Sequence, residues 1–265
     1  MPAAIVLAVA VAVAGVAGCA TSPTGRDQLV MFSPAAMRDM GAAAFDEIKA
    51  ETPVAGAYLH RYVDCVADAI LEVLPEGEGQ GWEVKVFDED EPNAFALPGR
   101  KIGVHKGLLD VTKTQDQLAA VIGHEIGHVL AQHGNERMSS QLVVGIGLVT
   151  AQAVMGSRDS REGRRTRALL GLGAQVGILL PYSRSHESEA DRIGLELMAQ
   201  AGFEPEASVA LWRNMSRVGG ERPPELLSTH PAPETRIRAL QAQIPAATEL
   251  YREAREAGRV PDCDG

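Results

Sequence analysis

Three side chains in one short run could do hydrolytic chemistry: His124, Glu125 and His128, in the pattern His-Glu-x-x-His. Residues four apart on a helix project from one face a turn apart, so both imidazoles can reach a single divalent ion. Glu125 stands about a third of a turn away, within reach of a water held at that ion. Neutral imidazoles bind zinc and leave a position for water, and a carboxylate that does not bind the ion can take the proton that the metal has acidified. The bland alternative, a helix with two satisfied core histidines, is weak. Two His and a Glu on the apolar side of a helix are costly to bury without a metal or partners.

Such a centre needs a third protein ligand from another helix. Ser183 or Ser185 can cap a helix carrying Glu187, Glu189 and Asp191, with Ile193, Leu195, Leu197 and Met198 apolar and Gly202 at its end. Glu187 and Asp191 are four apart and share a face. Glu187 fits as the ligand, and Asp191 can accept the free ring N–H of a metal-bound histidine and fix its tautomer. Glu189 reads as a surface charge. Without the motif at 124, Glu187 and Asp191 would read equally well as solvated acids. A third histidine ligand after a glycine turn would need glycine at 131 and histidine at 134. The chain has Ala131 and Gly134 there, with His133 one position off.

These groups need elements to hold them. Thr114 followed by Gln117 reads as a capping box, and Leu118, Val121, Ile122, Ile126, Val129 and Leu130 recur at helical spacing. Gly123 and Gly127 thin that helix where something must approach closely. Upstream, Ser33-Pro34 opens a helix to about Ala50 and Thr52-Pro53 opens a second to about Leu74, with Leu59, Val63, Val66, Ile70 and Leu71 inward. Residues 82–87, 93–97 and 101–104 read as three strands, the last two joined by Pro98-Gly99. An edge strand just ahead of the metal helix could take an extended peptide as an added strand, and Asn93, Ala94, Phe95 and Ala96 are the candidates. A purely structural hairpin is the alternative.

The 265 residues, 45% of them hydrophobic, can bury a sizeable core. With 25 basic against 35 acidic residues the net charge is −10, and no basic stripe with interleaved aromatics occurs, which argues against nucleic acid as a partner. The cysteines stand far apart, at Cys19, Cys65 and Cys263, so no CxxC zinc or redox site is built.

Residues 3–18 are Ala, Val, Ile, Leu and Gly, and end in Val16-Ala17-Gly18-Cys19, although no Lys or Arg precedes them. The pattern resembles a bacterial lipoprotein signal, with Cys19 carrying the lipid; an uncleaved apolar anchor is the alternative. Ala20 after that cysteine favours the outer membrane by analogy with lipoprotein sorting. In an oxidising periplasm Cys65 and Cys263 could pair, or stay as buried thiols. Further on, the apolar runs 142–156 and 168–180 flank Ser157–Arg167, which has five arginines against two acids. Each run is short for crossing a bilayer. They suggest a helical hairpin that packs on the domain, covers the cleft or dips into a membrane.

Together His124–His128, Glu187-Ser188-Glu189-Ala190-Asp191, and Ser228-Thr229-His230-Pro231 followed by Arg236 resemble the HtpX and CAAX-prenyl-protease-type zinc metallopeptidases, which are gluzincins. The lipid cysteine followed by Thr24-Gly25-Arg26-Asp27-Gln28-Leu29 is similar to their periplasmic lipoprotein branch. The resemblance implies that His124, His128 and Glu187 bind one Zn2+ per chain, that Glu125 is the general base and that Asp191 supports the ligands. It also implies that His230 is a mobile group near the metal, stabilising the oxyanion or occupying the water's position in a latent state, and that Arg236 is a cleft residue.

The expectation is an α+β, mostly helical chain with a zincin-like metalloprotease domain and a small β-sheet whose edge strand lies beside the metal helix. Residues 1–18 would be the signal peptide, 19–32 a lipidated tether, 33–258 one domain including the apolar hairpin 142–180, and 259–265 a tail. The expected activity is zinc-dependent endopeptidase action on unfolded or misassembled envelope proteins, from the periplasmic side of a bacterial cell envelope. The rival is a lipoprotein chaperone or assembly factor with a latent zinc site.

Overall fold

A computed structural model describes residues 19–155, 183–218, 225–230 and 234–263. The expected signal peptide, the second arm of the apolar hairpin and Pro231 lie outside the described residues. Five strands, β1 (Cys19–Thr21), β2 (Asp27–Leu29), β3 (Glu83–Phe87), β4 (Ala94–Leu97) and β5 (Lys101–His105), accompany nine described helices. The helices are α1 (Pro34–Glu51), α2 (Ala57–Leu71), α3 (Lys106–Val111), α4 (Gln115–Leu130), α5 (His133–Met155), α6 (Arg184–Gln200), α7 (Glu206–Val218), α8 (Glu225–Thr229) and α9 (Glu234–Glu256). The chain is thus mostly helical with small sheets. It divides into two compact units, one of residues 1–36 and 132–180, the other of 37–131 and 181–265. The span 33–258 contributes to both.

In the first unit β1 and β2 pair antiparallel, with Cys19 opposite Leu29, and β2 packs on α5. Residues 19–32, expected as the tether, thus carry local structure. Arg26 makes a two-pronged ion pair with Glu136 at 2.6 and 2.8 Å, the Met31 N–H donates to Ser139 Oγ, and the Phe32 N–H donates to Asn135 Oδ1. Helix α5 begins at His133, nine residues before the apolar run that first suggested it. Among the described residues no helix is long and apolar enough to cross a membrane.

The second unit holds the sheet β3-β5-β4, in which β3 and β5 run parallel and β4 and β5 antiparallel. Strand β4 is its edge, as its sequence suggested. Ala94 and Ala96 are buried, while Phe95 turns to the other face and covers Gly103, where a Cβ would lie 2.2 Å from the ring. Helix α2 starts at Ala57, not at Pro53, because Val54 bridges Phe87 and the Ala55 N–H donates to the Val86 carbonyl, so 53–55 extend the sheet instead. The core joins Val63, Val66 and Ile70 of α2, Ile102 and Val104 of β5, Leu118, Ile122 and Ile126 of α4, and Met198, Leu211 and Met215 of the later helices. Each such side chain contributes about 1.5–3 kcal/mol by leaving water.

Helix α4 is the axis of this unit and packs against α2, α6, α7 and β4. Its Thr114 cap accepts from the Gln117 N–H at 3.3 Å, and the Gln117 side chain accepts from the Lys113 N–H. Helices α4 and α6 cross at glycines. A Cβ on Gly123 would lie 2.8 Å from the Gly194 carbonyl oxygen, and one on Gly127 would lie 2.9 Å from that of Ala190. This is the close approach that the two α4 glycines predicted. A disulfide joins Cys65 of α2 to Cys263 in the tail, with the Cα atoms 5.7 Å apart. Gln115 holds the tail from the start of α4, donating to the Pro261 carbonyl and accepting from the Cys263 N–H.

Candidate metal centre

The glycine crossing brings two faces together. Helix α4 presents His124, Glu125 and His128, and α6, capped by Ser183 accepting from the His186 N–H, presents Glu187 and Asp191 one turn apart. His230, at the end of α8, completes the cluster. One ligand atom each from His124, His128, Glu187 and His230 lie within 4.8 Å of one another, and all four residues are buried.

The contacts are close. His124 Nε2 is 3.1 Å from His128 Nε2 and 3.3 Å from His230 Nδ1. Glu187 Oε1 is 3.0 Å from His230 Nδ1 and 3.5 Å from His128 Nε2, and its Oε2 is 3.5 Å from His124 Nε2. His124 Nδ1 stands 3.1 Å from Asp191 Oδ1, the bond that fixes which ring nitrogen faces the cluster. Glu125 Oε2 accepts from the Ala96 N–H of the edge strand at 3.3 Å, while Oε1 is buried without a hydrogen-bond partner among the described residues, 3.6 Å from His230 Nε2.

Arg236 of α9 sits beneath, donating from Nε to Asp191 Oδ2 at 2.5 Å and from Nη2 to Asp191 Oδ1 at 2.7 Å, with Nη1 2.6 Å from Glu187 Oε2. It is 5% exposed, so it is a buried ion-pair partner and not a residue lining an open cleft, the place the family resemblance gave it. Glu189 is also buried, at 5%, and has a partner; it is not a surface charge. Helix α6 packs against α4 and α9 both, so more than its metal-facing side is covered. Trp212 of α7 is the residue that sequence reading missed. Its ring lies edge-on to His124 at 5.6 Å and under the Arg236 guanidinium at 4.1 Å. A tryptophan on an amphipathic helix carries no signal that separates it from ordinary core.

Burial disfavours charge on the Glu187 carboxylate, but hydrogen bonds from His124, His128 and His230 outweigh it and hold the group ionised, well below the usual carboxylate range. Burial likewise opposes charge on Asp191, and the Arg236 guanidinium beside it holds it lowered. Desolvation pushes His128 well down, into its neutral, metal-binding form.

The donor set fits a zinc ion. Three imidazole nitrogens and an oxygen of Glu187 converge within 4.8 Å of one another, a donor set of the nitrogen and oxygen kind that zinc takes. Glu125, Glu187 and Asp191 are three buried carboxylates against one buried guanidinium, and a dication balances that charge. The cluster of His124, His128, Glu187 and His230 is thus able to bind zinc.

A model of peptidase family M48 matches residues 54–244, which include the α4 motif, Glu187, Asp191, His230 and Arg236. The chain belongs to peptidase family M48. The chain is 39% identical over 194 residues to the mitochondrial metalloendopeptidase OMA1 of Schizosaccharomyces pombe, covering 72% of this chain and 55% of that one. It is 34% identical over 221 residues to the OMA1 metalloendopeptidase of Bos taurus, covering 79% and 39%. It is 31% identical over 159 residues to the beta-barrel assembly-enhancing protease of Escherichia coli (strain K12), covering 57% and 32%. The chain therefore spans about half or less of the length of these M48 relatives.

Proposed function

We propose that this chain is a zinc-dependent metalloendopeptidase, with His124, His128 and Glu187 as ligands and Glu125 as general base. The observation that carries this reading is the buried convergence of the His-Glu-x-x-His pair on Glu187, beside a carboxylate oxygen of Glu125 that has no hydrogen-bond partner among the described residues. Zinc bound there would acidify a water and polarise the scissile carbonyl. Glu125 takes the proton of the attacking water and returns it to the leaving amine. Asp191 keeps the His124 ring in one tautomer. An extended substrate would add beside strand β4, an edge of its sheet, with Asn93, Ala94, Phe95 and Ala96 as the candidate residues; in this structure the Ala96 N–H is held by Glu125 Oε2.

The finer reading is a protein lipidated at Cys19 after removal of residues 1–18, on the periplasmic side of a bacterial outer membrane. Its substrates would be unfolded or misassembled envelope proteins. The apolar segment 3–18 ending at Cys19 supports this, as does similarity to a protease named for β-barrel assembly. The relatives named mitochondrial mark the alternative compartment. Fractionation, with mass spectrometry of the N-terminal peptide, decides it: an acylated Cys19 supports the envelope reading and an unmodified, unprocessed N-terminus contradicts it.

A second reading has one observation in its favour. His230 Nδ1 is within 3.3 Å of both Glu187 Oε1 and His124 Nε2, so it crowds the position a water needs. A latent site of this kind suits a client-binding lipoprotein chaperone or assembly factor. Degradation of casein by wild type but not by Glu125→Gln supports the peptidase. Complementation in cells by Glu125→Gln as well as wild type supports the chaperone.

A further inference from the structure

We propose that Arg236 is the positioning residue of the metal centre: its guanidinium takes Oε2 of Glu187 and both oxygens of Asp191, so that Glu187 offers a single oxygen, Oε1, to the ion. This inference rests on the zinc reading of the site and deepens it.

A guanidinium is a planar fork of five N–H donors, and this one is turned to the two acids, the His230 carbonyl and the His124 ring, whose Nδ1 and Nε2 each lie 3.3 Å from Nη2. Nε and Nη2 take the two oxygens of Asp191 at 2.5 and 2.7 Å, Nη1 lies 2.6 Å from Glu187 Oε2, and Nη1 also donates to the His230 carbonyl at 3.3 Å. The plane of the fork is set by Trp212, 2% exposed, whose ring lies 4.1 Å from the guanidinium carbon. Four elements are tied by one side chain: α6 through both carboxylates, the end of α8 through the His230 backbone, α7 through Trp212, and α9, which carries Arg236.

The two oxygens of Glu187 are separated by this contact. Oε1 is 3.0 Å from His230 Nδ1 and 3.5 Å from His128 Nε2, inside the cluster. Oε2 is 3.5 Å from His124 Nε2 and 2.6 Å from Arg236 Nη1, an ion pair without hydrogen-bond geometry. Without the fork, both oxygens of Glu187 would be available to an ion, and the second would compete with a water for it. The same fork holds Asp191 as the acceptor for His124 Nδ1. Arg236 acts through these two carboxylates and through the His124 ring, whose Nδ1 and Nε2 each lie 3.3 Å from Nη2.

The test uses the full chain, stripped of metal and titrated with cobalt(II), whose visible absorption weakens when a fifth ligand atom joins four. Zinc affinity is then read by competition with a chelator. Arg236→Lys and Arg236→Gln are each expected to weaken the cobalt absorption relative to wild type and to lower zinc affinity 10- to 100-fold, about the loss found when groups supporting metal ligands are removed. Lysine keeps the charge and loses the fork, so a lysine variant with the wild-type spectrum and affinity overturns the proposal. If both variants fail to fold by circular dichroism, Trp212→Leu leaves the fork and removes the surface that orients it. A weakened spectrum in that variant supports the proposal and an unchanged one overturns it. Wild type that binds neither cobalt nor zinc contradicts the metal reading instead, a different outcome from variants that match a metal-binding wild type.

Discussion

Gly194 of α6 lies so close to His124 of α4 that a Cβ on the glycine would stand 2.6 Å from the His124 backbone nitrogen. The metal centre is therefore a consequence of helix packing: two backbones meet without side chains between them, and the ligands on either side come into range. Gly194→Ala should push α6 from α4, destabilise the fold by about 1–3 kcal/mol, and weaken zinc binding. Gly145→Ala on α5, where a Cβ meets nothing within 4 Å, is the control and should be neutral or slightly stabilising. Urea unfolding of the two variants side by side checks this, and equal midpoints would contradict it.

Glu125→Gln separates binding from chemistry. The variant keeps the shape and the ligands, so it should retain zinc at wild-type stoichiometry, while cleavage of casein falls by at least about 10²–10⁴-fold with the loss of general-base catalysis. Metal content by mass spectrometry together with a proteolysis time course reads both. Cleavage at the wild-type rate would remove Glu125 from the mechanism.

Much of this arrangement is legible in the chain because it is local. The Thr114 cap and the period of Leu118, Ile122 and Ile126 mark a helix, and four-residue spacing then puts His124 beside His128 and Glu187 beside Asp191. Gly123 and Gly127 signal a close approach without naming the partner. What could not be read depends on residues distant in sequence. Trp212 and the buried role of Arg236 arise only when α7 and α9 fold against α6, and the burial of Glu189 only when α6 is covered on more than one side. The hairpin at 19–29 was hidden for the same reason, since Arg26 finds Glu136 110 residues away.

The Cys65–Cys263 disulfide closes a long loop, with a sequence separation of 198. Opening it returns that freedom to the unfolded chain and should lower stability by up to about 5 kcal/mol. Cys65→Ser with Cys263→Ser, compared with wild type in urea with and without reductant, measures the loss. Wild type should move to the double variant's midpoint on reduction. A wild-type midpoint unmoved by reductant and equal to that of the double variant would show that the bridge contributes nothing.

Zinc binding should release a proton at neutral pH. In the metal-free protein burial opposes charge on His124, but hydrogen bonds to Asp191 and Glu187 outweigh it and raise the imidazole to about 9. The folded value lies above the ordinary 6.5, so this charge stabilises the metal-free fold fully below about pH 6.5, and the contribution is lost as pH rises through about 9. A histidine binds a metal only in its neutral form, so zinc displaces that proton. Calorimetry in buffers of different ionisation enthalpy should find about one proton released per zinc at pH 7 and fewer above pH 9. No release at pH 7 would contradict the charged state of His124.

The most direct test of the centre itself is a crystal of the zinc-loaded protein, with anomalous diffraction recorded on both sides of the zinc edge. One peak should lie about 2.0–2.2 Å from a nitrogen of His124, a nitrogen of His128 and an oxygen of Glu187. A zinc peak elsewhere, or one at the histidines with Glu187 out of bonding reach, would contradict the site as built here.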